Sequence, residues 1–132
     1  MTAGRNTASG EFVSGWVGLG DYVDAGQLYL ADGVPTRCAQ HCARLAETLR
    51  EIRDDVLKLP RLDGLGTLPS AVAVAEKINR TANGGDYSMA DALADHIAEV
   101  EAMQALFEKI HLSYSATQDN TVSALTAIDP QV

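Results

Sequence analysis

Aromatic side chains are scarce in this sequence of 132 residues, where they account for 5%, with one Trp and two Phe. Sheets favour aromatic and β-branched residues, whereas the Ala and Leu that abound here are strong helix formers. The scarcity therefore argues against a sheet core and predicts packed helices. Hydrophobic residues still reach 46%, which is enough for one globular core and excludes disorder throughout the chain.

Basic residues are also few, with ten Lys and Arg against eighteen Asp and Glu and a formal net charge of −8. Such a chain would repel a phosphate backbone, so we expect no nucleic-acid partner. The sequence has no run of about 18 apolar residues that could span a bilayer, and we expect no membrane insertion. Its first residues lack the apolar segment of a secretory signal, so we expect any export to be independent of a signal peptide.

Cysteine and histidine, with two and three residues, are too rare for a metal centre to be predicted. Cys38, His41 and Cys42 form a C-x-x-H-C cluster, but a structural zinc site needs four ligands and no second pair follows at ligand spacing. Cys38 and Cys42 lie four residues apart in a segment that is typical of a helix, where a disulfide would strain the backbone. We interpret both as packing residues.

Two further patterns are incomplete as catalytic motifs. Glu108 and His111 match the Glu-x-x-His step of di-iron helical bundles, but those sites need the motif twice, so a surface pair is the preferred interpretation. Gly84 and Gly85 lack the third glycine and the lysine of a nucleotide-binding loop. We therefore expect no catalytic residues, no metal and no cofactor, and we predict that the protein is not an enzyme.

Residues 1–21 are rich in Gly, Ser and Thr and show little hydrophobic periodicity, which predicts a flexible N-terminal arm. Phe12, Val13 and Trp16 are expected to tether this arm. Residues 22–128 are predicted to form the folded domain.

Regular apolar spacing begins after the arm, in alternating steps of three and four residues that predict a helix. Pro35 interrupts the pattern, so we expect a short helical segment before it and the main helix after it. The apolar positions are Leu28, Ala31, Cys38, Cys42, Leu45, Leu49, Ile52, Val56 and Leu59.

A Pro- and Gly-containing segment from Pro60 to Pro69 then predicts that the chain reverses direction. Ser70 is the expected N-cap of a shorter helix, which should end at Asn83-Gly84-Gly85. Asp86 or Ser88 is expected to cap a last and longest helix, from about Ser88 to Ala124. Its apolar side contains Leu93, Ile97, Val100, Met103, Phe107, Ile110 and Tyr114.

The predicted fold class is therefore all-α, an antiparallel helical hairpin with two long helices and one shorter helix that assembles into a helical bundle. A lone hairpin cannot cover the apolar stripes of both long helices, so we expect another chain to cover them, in a homo- or hetero-oligomer such as a dimer. The predicted interface comprises Leu45, Leu49, Ile52, Val56, Leu93, Ile97, Val100, Phe107 and Ile110.

Several segments between residues 22 and 125 match one helical-hairpin family. They are Tyr22-Val-Asp24 before the first long helix, Gly66-Thr-Leu68-Pro69-Ser70 at the turn, Ser88-Met-Ala-Asp91-Ala-Leu93 at the start of the last helix, and Tyr114 near its end. In these features the chain resembles the WxG-type superfamily of actinobacterial type VII secretion substrates, and within it the longer, ESX-associated hairpin subgroup.

The resemblance implies a non-catalytic helical hairpin that pairs with a homologous hairpin or with the targeting domain of a larger effector protein. It also implies a secreted or cell-surface location after a cytoplasmic stage. The family's export signal is Y-x-x-x-D/E after the second long helix. Tyr114 and Asp119 are the candidate residues here, and they are one residue further apart than in that signal. Tyr87 and Asp91 have the family's spacing but lie at the other end of the last helix.

Two alternatives from other functional classes remain open. The long helices could pack against many copies of themselves in a structural or virion assembly protein. The chain could also be a small helical-bundle ligand-binding protein or enzyme that uses His96, Glu99, Glu108 and His111 around an internal pocket. Convergent polar groups on the buried face would identify that second alternative, but Glu99 and Glu108 are expected to point mostly away from the apolar stripe.

Overall fold

The computed structural model describes residues 15–128, together with the backbone of residues 4–5 and 12–13. Over these residues the predicted all-α class is confirmed, because four helices hold well over half of the chain. The helices are α1 (Gly15–Asp24), α2 (Val34–Leu57), α3 (Pro69–Ala82) and α4 (Met89–Ala127). Two very short strands, β1 (Gly4–Arg5) and β2 (Phe12–Val13), pair antiparallel with Gly4 opposite Val13.

The described chain divides into two compact units. The terminal unit holds the described residues up to Ala43 and from Glu101 onward, and the central unit holds Arg44–Val100. Helices α2 and α4 each contribute residues to both units. None of the helices in the described part of the chain is both long and apolar enough to cross a membrane.

The predicted flexible arm of residues 1–21 is wrong for residues 15–21, because these residues belong to helix α1. Trp16, Leu19 and Val23 recur at steps of three and four, so they lie on one side of α1. Val23 is only 2% exposed, and burial of this side stabilises a glycine-rich segment that composition alone marks as irregular. Residues 1–3, 6–11 and 14 of the predicted arm lie outside the described residues.

The core of the terminal unit forms where α1 meets α4. Val23, Leu106 and Ile110 are buried there, and a ring of partly buried side chains surrounds them. That ring consists of Trp16, Leu19, Leu28, Leu30 and Phe107. The rings of Trp16 and Phe107 are tilted by 50° with their centroids 6.2 Å apart, a favourable geometry for an aromatic pair.

The predicted helical segment directly before Pro35 is wrong, because residues 25–33 form two turns joined by chain without regular secondary structure. Gly26 and Gly33 have φ values of +73° and +77°, in the left-handed region that ends helices. Leu28 therefore contacts the core from a loop rather than from a helix. Helix α2 starts at Val34, so Pro35 lies in the first turn, where its missing N–H has no cost.

In the central unit, the end of α2 contacts the start of α4, because the Nε of Arg53 donates to the carbonyl oxygen of Ala90 at 3.1 Å. The predicted N-cap at Ser88 is confirmed. The Asp91 amide donates to the Ser88 hydroxyl at 3.4 Å, and the Ser88 amide donates to the Asp91 carboxylate at 3.1 Å. This reciprocal capping satisfies two amides at the start of α4.

Helix α3 ends at Ala82 with Asn83 as its C-cap, as predicted, but its predicted N-cap at Ser70 is wrong. The helix begins at Pro69, with Leu68 in the cap position, because proline fits the first helical position without losing a hydrogen bond. At the other end the Gly85 amide donates to the Arg80 carbonyl at 3.1 Å. A Cβ at position 85 would lie 2.5 Å from that oxygen, so only glycine fits there.

Candidate partner-binding surface

Two rows of apolar side chains along α2 differ in exposure. Leu45 and Ile52 on α2, together with Leu59 two residues beyond its end, recur every seven residues and are 47%, 40% and 58% exposed; we call them the outer row. Leu49 and Val56 recur at the same interval between them and are half-buried and buried. Within the central unit, the intramolecular packing therefore covers one row of a heptad pattern and leaves the other in solvent.

The predicted interface residues consequently fall into three groups. Leu45 and Ile52 are exposed. A second group is half-buried and comprises Leu49, Leu93, Ile97 and Phe107. Val56, Val100 and Ile110 are buried in the core of the chain itself, so their side chains are not accessible on the surface of the folded chain.

Helix α3 is arranged with its larger side chains outward. Its half-buried positions are Ala71, Ala75, Asn79 and Ala82. Val72, Val74 and Ile78 are each about half exposed, and none of the side chains of α3, all of which the structure describes, is buried. The helix thus packs through its alanines and leaves its larger aliphatic groups in water, where their burial would be favourable.

The loop between α2 and α3 is fixed to α3 by one asparagine. The amide of Leu62 donates to the Asn79 Oδ1 at 2.7 Å, and the Asn79 side-chain nitrogen donates to the Leu62 carbonyl at 3.2 Å. An ion pair of 2.7 Å between Arg61 and Glu76 lies beside these bonds. A groove of about 290 Å³ separates the loop from α3, with Leu62, Leu65 and Val72 among its apolar lining.

A second groove lies in the terminal unit, between the start of α2 and α4, and has a volume of about 430 Å³. The Oγ1 of Thr36 lies 3.3 Å from the Nδ1 of His111, and Gln104 donates to Glu108 at 3.0 Å. The lining residues are Thr36, Ala39, Gln40, Ala43, Gln104, Glu108, His111 and Leu112.

Only two of the four polar residues of the ligand-binding alternative meet in this groove, Glu108 and His111. His96 and Glu99 belong to the central unit. His96 is exposed, and Glu99 has one carboxylate oxygen that is buried without a hydrogen-bond partner among the described residues. The expectation that Glu99 points mostly outward is therefore wrong for that oxygen.

The cysteines lie on the covered side of α2, where Cys38 is half-buried and Cys42 is buried, and both are free thiols. Burial raises the pKa of the Cys42 thiol, and neighbouring Cys38 raises it further. Over the residues that the structure describes, no three His, Cys, Asp or Glu side chains are placed to hold a metal ion.

The candidate export residues lie towards the end of α4. Tyr114 is half-buried, whereas Asp119 and all the other described residues after 115 are exposed. Three large apolar side chains, Val122, Leu125 and Ile128, are among those exposed residues. This end of α4 therefore has the accessibility that a recognition segment needs.

Sequence reasoning missed Leu106 and Val23, two of the three buried residues of the terminal core. Leu106 lies beside the predicted stripe, one helical turn before Ile110, and the two side chains are buried together with Val23. The heptad-like spacing of Trp16, Leu19 and Val23 is the signal that could have revealed this packing.

Comparisons with protein-family models, with curated proteins and with solved structures give no significant match to this chain.

Proposed function

We propose that the chain is a non-catalytic helical hairpin that binds a helical partner through the outer row of α2. In this proposal the long helices α2 and α4 run antiparallel, and the contact between Arg53 and Ala90 within the central unit supports that direction. The partner is a homologous hairpin, either a second copy or a different chain, or the helical targeting domain of a larger effector.

The observation that carries the proposal is the exposure of Leu45 and Ile52 at heptad spacing on α2, with Leu59 exposed just beyond the end of the helix. A second helix packs onto such a row by inserting its side chains between those of the first. Large aliphatic side chains at regular intervals on a soluble surface are typical of an interface, since burying each one fully is worth roughly 1.5–3 kcal/mol.

The pathway part of the proposal is type VII secretion, and it rests on the sequence resemblance between residues 22 and 125. Tyr114 and Asp119 are proposed as the export signal, and the exposed end of α4 supports that assignment.

The pairing is tested by light scattering on the full chain, alone and co-expressed with the products of its neighbouring genes. We expect a stable oligomer in at least one of these combinations. Replacing both Leu45 and Ile52 by Asp should convert it to monomers without unfolding the chain, because both side chains are exposed and a charge at a dry interface is costly.

Val17→Asp is the matched control, since Val17 is an exposed valine on α1. It should leave the oligomer intact. A monomer in every combination would refute the pairing, and so would an oligomer that survives the double substitution with an unchanged helical signal in circular dichroism.

The groove of about 430 Å³ favours one second candidate, a carrier of a small apolar ligand. Most of the surface area that lines the groove comes from apolar atoms. The polar groups of Gln104, Glu108 and His111 also line it and could orient a ligand. An environment-sensitive naphthalene sulfonate dye should bind there and be displaced in His111→Trp, which fills the groove. Dye binding that does not change in this variant would refute the candidate.

A further inference from the structure

The central unit has a second exposed apolar surface, centred on α3 and distinct from the outer row. Val74 and Ile78 lie four residues apart, so they form one stripe on α3. Alanines supply the packed side of the same helix, which gives it little burial of its own. A helix of this length is marginal in isolation, so contact with a further element would stabilise it.

The segment that contains this stripe has a charge of opposite sign to that of the chain as a whole. Residues 58–86 contain four of the ten Lys and Arg but only three of the eighteen Asp and Glu, so they carry a formal charge of +1 in a chain of −8. One of the three acidic residues, Asp86, lines the same groove as Lys77 and Arg80. Arg61 and Glu76 pair with each other. Lys58, Lys77 and Arg80 are exposed, and Lys77 lies one helical turn from Val74.

We propose that this surface docks an acidic amphipathic helix of a partner protein. The aliphatic side of that helix covers Val74 and Ile78, and its flanking carboxylates pair with Lys77 and Arg80. Electrostatic complementarity of this kind selects the partner and speeds association. The proposal concerns a different surface from the outer row, so either can fail without the other.

The local charge also argues against two other occupants. A second copy that docked by the same surface would bring Lys77 and Arg80 against their own equivalents, and like charges in contact are unfavourable. An anionic lipid surface would attract Lys58, Lys77 and Arg80, but it would repel the rest of the chain, which is strongly acidic.

The test uses two synthetic helical peptides of about 18 residues. Both carry Leu and Ile at positions i, i+3, i+4 and i+7, and they differ only in flanking residues, which are Glu in one and Lys in the other. Fluorescence anisotropy on the full chain should show the acidic peptide binding at least about tenfold more tightly, a difference of about 1.4 kcal/mol.

Charge reversal and apolar truncation separate the two parts of the surface. Lys77→Glu combined with Arg80→Glu should reverse the preference to the basic peptide, whereas Arg44→Glu on α2 should not. Ile78→Ser should weaken acidic-peptide binding by about tenfold or more, whereas Val17→Ser should leave it unchanged. Both sets of substituted side chains are exposed, so circular dichroism should confirm that each variant folds.

The Leu45→Asp and Ile52→Asp double variant should keep its peptide binding, which separates this proposal from pairing through the outer row. Equal affinity for the two peptides, or no binding of either, would overturn the proposal. It would also be overturned by self-association that Ile78→Ser abolishes, or by binding to vesicles of anionic phospholipid that this substitution abolishes.

Discussion

The Nζ of Lys109 on α4 lies 2.8 Å from the Oδ2 of Asp24, the last residue of α1. The pair joins the end of α1 to the helix that forms the other side of the terminal core. Its side chains are 42% and 63% exposed, so solvent and salt screen the attraction.

We expect Lys109→Ala to lower the free energy of unfolding by only about 0.2–1 kcal/mol. A double-mutant cycle with Asp24→Asn in urea, at low and high salt, measures the coupling between the two side chains. A coupling that is large and independent of salt would contradict the picture of an exposed pair.

Leu106 should contribute far more to stability than Leu112, six residues later on α4. Leu106 is buried beside Val23, whereas Leu112 is 66% exposed. Leu106→Ala leaves a cavity and should cost about 2–5 kcal/mol, whereas Leu112→Ala should change stability by less than about 0.5 kcal/mol. Urea unfolding monitored by circular dichroism compares the two, and similar losses would mean that α1 does not cover α4 at Leu106.

Replacement by alanine should change the stability of the chain in opposite directions at two glycines. Gly18 lies within α1, and no described atom comes within 4 Å of a Cβ built there, so Gly18→Ala should stabilise the chain by about 0.5–1 kcal/mol. Gly85→Ala should destabilise it by about 1–3 kcal/mol, because the new Cβ would collide with the Arg80 carbonyl. Thermal melting of both variants checks the signs, and a stabilised Gly85→Ala would show that α3 does not end in this turn.

The raised pKa of Cys42 predicts slow alkylation and a loss of stability in alkali. The folded chain holds this proton more tightly than the unfolded chain does. The contribution of the protonated Cys42 thiol to stability is therefore complete below the pKa of this thiol in the unfolded chain, and it is lost as the pH rises through the higher pKa of the folded chain.

Mass spectrometry after brief iodoacetamide treatment should show Cys38, the internal control, modified before Cys42. Cys42→Ala should flatten the alkaline fall in stability, because this variant has no buried thiol to ionise at position 42. Equal modification rates at the two cysteines would contradict the burial of Cys42.

Tyr114→Ala should abolish appearance of the protein in the culture filtrate of its host if the end of α4 is the export signal. The side chain is half-buried, so the substitution should cost less than the roughly 1.5–3 kcal/mol of a fully buried one. Asp119→Asn should have the same effect on export with no loss of stability.

Tyr29→Ala is the matched control, because Tyr29 is 78% exposed and lies outside α4. It should be exported normally. Normal export of the surviving Tyr114→Ala protein, together with a lowered melting temperature, would show that Tyr114 is a packing residue instead.

Local sequence signals correctly predicted the end of α3 and the start of α4. The side chains of Ser88 and Asp91 form the hydrogen bonds that cap the start of α4. The end of α3 is set by the backbone of Asn83-Gly84-Gly85. Such features depend on neighbours within a few residues, so a sequence displays them directly.

Features that depend on distant contacts were missed or left open. The helix over residues 15–24 gains its stability from packing of Val23 against Leu106 and Ile110, far along the chain. The two rows of α2 have equivalent heptad spacing, and only the position of the rest of the central unit decides that Leu49 is covered and Leu45 is not. The candidate surface was therefore predictable as an apolar stripe but not by its exposed members.

The paired hydrogen bonds of Asn79 restrict which residues can occupy that position over evolutionary time. Leu62 presents one donor and one acceptor, and the carboxamide of Asn79 meets both with one side chain. Ionised aspartate has nearly the same shape but only acceptors, so it would set a negative oxygen against the Leu62 carbonyl. Among isosteric side chains only the amide thus satisfies both groups of Leu62, and the exchange that is most conservative in shape would lose one of the two bonds between the loop and α3.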